Sequence, residues 1–224
     1  VSVPAAAFYF DLSSPLAYLA AERVLHVLPG PAEWQPMLAR ELPGGESHTA
    51  FRCAEESDVF RAELERRALE LELQPMRWPD PFPFDSTLAM RVATYAKSIG
   101  RVVPFVQAAF RQAFAAGRSL QDPNYVLIAA AACEMHPTAV LRGAELRSVA
   151  DQLRITTASA AEAGVNEVPA VWVAGTAAGE PAQVFLGERA LEHAGWHMAG
   201  SAHPGGSAHS GDTGGSARSG SAAL

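Results

Sequence analysis

The chain has 224 residues, 49% of them hydrophobic, enough to bury a substantial core in one compact domain or one domain carrying a large insertion. Its 17 basic against 24 acidic residues give a net charge of −7, and no basic cluster with interleaved aromatics is present, which argues against nucleic acid and anionic membranes as partners. The longest apolar run, Tyr125 to Cys133, is too short to span a bilayer, and the N-terminus has no signal-peptide pattern, so a cytoplasmic location is expected.

In chain order, the apolar run at Ala6–Phe10 reads as a strand. Ser14-Pro15 then opens a helix over Leu16–Val27, because proline suits the first helical position and the preceding serine suits the cap. A strand at about Glu33–Leu38 completes a βαβ unit, and Pro36 within it argues for an edge position or an early strand end. From about Ser57 to Met135 the pattern is helical, broken by the proline-rich WPDPFPFDS of Trp78–Ser86. Asp85 or Ser86 is placed to cap a helix over Thr87–Ile99, Pro104 to open the next, and Asp122-Pro123 another. A helix near Leu146–Ala163 is followed by Pro169 and the strand AVWVA, a polar turn, the strand AQVFL, and a helix from Glu188. From Gly200 the chain is built of small and polar residues and is expected to be disordered.

No metal site is expected. Cys53 and Cys133 lie far apart without a CxxC or metal-ligand spacing, His193 and His197 flank Gly195 in what reads as a weakly helical surface segment, and His203 and His209 stand in the flexible tail. A β-α-β start and a β-β-α finish can share one sheet only if the helical middle is an insertion. The expected division is therefore 1–45 with 150–199 as one α/β domain, 46–149 as a helical insertion, and 200–224 as the tail.

Three stretches in this order, FYFDLSSPLAYLA (Phe8–Ala20), GVNEVPAVWVAG (Gly164–Gly175) and VFLGERALE (Val184–Glu192), resemble the 2-hydroxychromene-2-carboxylate isomerase and kappa-class glutathione transferase family, relatives of the DsbA-type disulfide oxidoreductases. The resemblance spans roughly residues 5–198 and implies a thioredoxin-like fold with a large all-helical insertion. Where the oxidoreductases carry CxxC, this chain has Ser14-Pro15-Leu16-Ala17, so no thiolate can form there and direct thiol–disulfide exchange at this junction is excluded. In the isomerase and transferase branch, the resemblance implies that Ser14 serves a thiol brought by a cofactor, glutathione or another low-molecular-weight thiol. The plain reading of Ser14 as a helix cap is compatible with this role if Ser13 shares the cap.

The resemblance further implies a cis Val168–Pro169 bond, where a trans bond is the general default, with the Val168 backbone pairing with an extended thiol peptide. It implies that Gly187, Glu188 and Arg189 hold the γ-glutamyl end, their alternative being a surface charge pair of little consequence. Two features depart from the family: the segment entering the insertion lacks an Asn and a Lys, with Arg52 the candidate to replace them, and Glu167 stands where glycine is usual. The implied activity is a glutathione-dependent isomerisation of a small-molecule substrate, an aromatic-derived oxo acid. A kappa-like transferase or peroxidase, and a redox-inactive thiol- or peptide-binding protein, are the alternatives; a homodimer is left open.

Overall fold

The computed structural model describes residues 5–43, 53–175 and 179–201. The tail from 202 onward, with His203 and His209, and Arg52 lie outside the described residues, so those readings receive no structural account.

Four strands, β1 (Ala6–Phe10), β2 (Ala32–Pro36), β3 (Ala170–Val173) and β4 (Gln183–Leu186), form one sheet in the order β2-β1-β3-β4. β1 and β2 are parallel, as a βαβ crossover requires, whereas β3 runs antiparallel to both β1 and β4. Pro36 closes the edge strand β2, where its missing N–H leaves no ladder position empty. β1 lies inside the sheet, and its apolar side chains serve both faces. Ala6, Phe8 and Phe10 pack with Trp34, Val171 and Val173 on one side, while Tyr9 packs with Ala170, Val184 and Leu186 on the other.

The helix expected over Leu16–Val27 is two: α1 (Pro15–Ala21) and α2 (Val24–Val27). The chain turns at Glu22-Arg23, whose side chains are drawn to Arg111 at 2.7 Å and Glu192 at 2.6 Å. Between the strand pairs run α3 (Ala54–Glu70), α4 (Thr87–Ser98), α5 (Val102–Phe110) with a π-helical turn at Arg111–Ala115, α6 (Pro123–Ala131), α7 (Pro137–Glu145) and α8 (Arg147–Glu162). Asp85 caps the start of α4 by accepting the Thr87 N–H at 3.0 Å, and Asp122 caps α6 through Asn124 at 2.9 Å. Pro104 does not open α5 but sits third in it, still within the first turn, where backbone N–H groups have no helical acceptor.

An aromatic column joins the sheet to these helices. Phe10 meets Phe110 (6.2 Å between centroids), Tyr18 stacks on Phe114 (5.7 Å), and Phe114 meets Trp78, Phe82 and Phe84 of the proline-rich segment. α8 lies near β2, tied by the Leu38 N–H donating to Thr157 Oγ1 at 3.1 Å. The last helix, α9 (Ala190–Ser201), is no surface segment: it buries Ala190, Leu191 and Ala194 against the sheet, leaving Trp196 65% exposed.

Candidate active site

At the end of β1 the chain must turn into α1, and Asp11 organises the turn. Its carboxylate is 1% exposed yet satisfied: Oδ1 accepts the Ser13 N–H and the Ser13 hydroxyl, both at 2.9 Å, and Oδ2 accepts the Ala39 N–H at 2.9 Å. One side chain therefore fixes both the turn into α1 and the exit from β2. The Ser14 N–H donates to Asp11 O at 3.0 Å, which completes the turn.

Ser14 alone caps α1, because Ser13 is committed to Asp11. Ser14 Oγ accepts the Ala17 N–H at 3.2 Å, and its carbonyl accepts the Tyr18 N–H at 3.1 Å. Capping uses only an acceptor lone pair; the hydroxyl proton faces Val168 O at 3.5 Å, a contact at the outer limit of a hydrogen bond. Pro15 has no N–H, so among the described residues the Leu16 N–H is the one left unpaired in this first turn.

Across from Ser14 lies the entry to β3. The Val168–Pro169 peptide is cis. Val168 is buried, its N–H has no partner among the described residues, and its carbonyl has only the long Ser14 contact. Pro169 O accepts the Gly187 N–H at 2.9 Å, so the start of the β4–α9 turn is pinned to this entry. Gly187 holds φ +74°, which glycine adopts without strain.

Ser14 and Val168 share a cavity of about 320 Å³. Asp11, Ser13 and Leu16 also line it, Ala39 and Arg40 enter from the β2 exit, Glu167 from the β3 entry, and Phe60, Pro83, Phe84 and Ser86 from the helical part. Helix α3 and the proline-rich segment before α4 thus supply the aromatic wall, Phe60 and Phe84. Arg40 donates to Asp85 at 2.6 Å and to Thr87 at 2.7 Å. Gly187, Glu188 and Arg189 are not among the lining residues: Glu188 pairs with Arg67 at 3.2 Å, and Arg189 is exposed. Sequence reading gave no site role to Asp11, Arg40, Phe60 or Phe84. Only Asp11 had a local signal, an aspartate two residues ahead of a turn serine.

Tyr18, the next ring along α1, keeps its phenolic proton near neutral pH. Burial, reinforced by Glu22 and partly offset by Arg111, pushes its hydroxyl up to about 12. Among the described residues no group of three or more His, Cys, Asp or Glu is placed to hold a metal ion, and no helix is long and apolar enough to cross a membrane.

This architecture is matched in sequence by a profile of the DsbA-like thioredoxin domain over residues 6–193. The chain belongs to the DsbA-like thioredoxin family. A comparison with curated proteins returns no match. Among solved structures, a 2-hydroxychromene-2-carboxylate isomerase is similar at a TM-score of 0.73 and 16% identity, covering 87% of this chain and 94% of that one. The cytosolic disulfide reductase DsbM from Pseudomonas aeruginosa is similar at 0.55 and 12% identity, covering 87% and 95%, and its structure with GSH matches equally. At these identities the likeness is one of fold. This DsbA-like chain departs from a CxxC thioredoxin site in having Ser14 and Ala17 at the ends of the four-residue stretch.

Proposed function

We propose that this DsbA-like protein is a thiol-dependent isomerase whose nucleophile is the sulfur of a bound small thiol, glutathione or another, held by Ser14. One observation carries the reading: at a junction without sulfur of its own, the Leu16 N–H and the Val168 N–H have no partner among the described residues, the Ser14 O–H has only the 3.5 Å contact with Val168 O, and all three residues line one cavity. Such donors fit a thiolate beside an extended peptide, since the hydroxyl and the Leu16 N–H would donate to sulfur while Val168 adds the peptide as a short strand. Lowering a thiol pKa by about two units requires about 2.7 kcal/mol, and one hydrogen bond to a charged group contributes about 1.5–3 kcal/mol.

The thiol, when bound, supplies a nucleophile that adds reversibly to a conjugated carbonyl compound and turns its double bond into a rotatable single bond. The chain's own contribution is to hold the sulfur anionic through Ser14, to orient the peptide through Val168, and to keep water from the reacting carbons with Phe60 and Phe84. A cavity of about 320 Å³ falls in the range of small-ligand sites. The aromatic-derived oxo acid implied by the family resemblance suits that apolar wall. The likeness to an isomerase, and to a reductase solved with GSH, is consistent with this reading.

Product analysis with a conjugated oxo acid tests it. Isomer interconversion should require added thiol, return the thiol unchanged, and fall about a hundredfold or more in Ser14→Ala. A stable thiol adduct would make the protein a transferase instead, and thiol binding without turnover would make it a binding protein.

A further inference from the structure

Among the described residues three charged side chains line the cavity, Asp11, Arg40 and Glu167, and their circumstances differ. Asp11 is closed in by three hydrogen bonds, and Arg40 is committed to Asp85 and Thr87. Glu167 has no hydrogen bond or ion pair among the described residues, although it is half-buried. Its Oε1 comes within 2.8 Å of the point where a Cβ on Gly187 would stand, so the carboxylate occupies the space left by that glycine at the turn into α9. Arg189, the next cation along the chain, is exposed, and Arg67 is paired with Glu188 and Glu70.

A carboxylate half withdrawn from water and left unpaired is unfavourable by itself, and it acts on whatever enters the cavity. With Arg40 paired to Asp85 and Asp11 held by its three donors, Glu167 is left as the unpaired charge of the lining among the described residues, and that charge is negative. Glutathione, with two carboxylates against one ammonium, is itself a net anion and becomes more so when its thiol ionises. We propose that Glu167 selects the ligand by charge: the site takes a small thiol that bears an ammonium or other cationic group within reach of the Glu167 carboxylate and has no net negative charge, in preference to a net-anionic thiol. This inference rests on the thiol-site reading and adds the class of thiol to it. The same carboxylate that disfavours an anion pairs with a cation once both are out of water, so the discrimination has an attractive and a repulsive half.

Calorimetric titration of the full chain with reduced glutathione and with its diethyl ester provides the test. The ester keeps the thiol, the peptide and the ammonium but loses both negative charges. At low salt the parent should bind the ester at least about tenfold more tightly than glutathione. In Glu167→Gln, which keeps the side chain's size, the ratio should fall to within about threefold, chiefly through weaker ester binding. Glutathione binding as tight as that of the ester, or a ratio unmoved by Glu167→Gln, overturns the charge selection while leaving the thiol site standing. Absence of binding by either thiol at millimolar concentration overturns the thiol site and the selection with it.

Discussion

Asp11 and Glu167 line one cavity, the first 1% exposed with three hydrogen bonds and the second half-buried with none among the described residues. The difference comes from the chain around them. Asp11 follows the last residue of a strand that turns at once into a helix, where the N–H groups of Ser13 and Ala39 need acceptors, so its charge is used up in fixing backbone. Glu167 precedes a strand whose N–H groups go to the ladder, and among the described residues no donor is directed at it. Of two acids in one pocket, the better buried is held by backbone donors and the less buried has no such partner among the described residues. Depth of burial is therefore a poor guide to function here; what decides is whether the fold has already supplied a partner.

The largest effect that would sharpen this contrast is at Asp11. Asp11→Ala leaves two part-buried backbone N–H groups and a hydroxyl without their acceptor and should lower unfolding free energy by about 2–3 kcal/mol in urea denaturation, with Asp11→Asn, which keeps one acceptor oxygen, losing roughly half as much. Gly187→Ala comes next: its φ of +74° and the nearby Glu167 Oε1 should together cost about 1–2 kcal/mol. Part of that cost is steric, so adding Glu167→Ala should recover it as a double-mutant coupling of at least about 0.5 kcal/mol. Ser14→Ala removes a cap and should cost about 1 kcal/mol in the same assay. Smallest is Glu167→Gln, which breaks no contact and should change stability by no more than about 0.5 kcal/mol. A loss there comparable to that at Asp11 would erase the distinction between the two acids.

Much of this was legible locally. Alternation and length identified β1, β3 and β4, Pro36 marked the edge strand, and Ser14-Pro15 marked the start of α1, because each signal lies within a few residues of its effect. α7 was missed because its cap is His136, whose Nδ1 accepts the Thr138 N–H at 3.3 Å, and histidine is outside the usual capping set. α9 read as a weak surface helix because Gly195 and the histidines hid its apolar stripe, although Gly195 packs close to Val27. The cavity was least legible. Ser14 and Val168 are brought together by strand pairing between β1 and β3, whereas Phe60 and Phe84 arrive from helical and proline-rich segments whose sequence shows apolar character but not which cavity it faces.

The central claim is that Ser14 holds a thiolate as well as capping a helix. Ultraviolet absorbance of the thiolate, followed across pH with the thiol bound, tests it most directly, with Ser13→Ala as a control that alters the same turn. The bound thiol should have a pKa well below that of the free thiol, raised by about one to two units in Ser14→Ala and little changed in Ser13→Ala. A Ser14→Ala protein whose bound thiol titrates like that of the parent would contradict it.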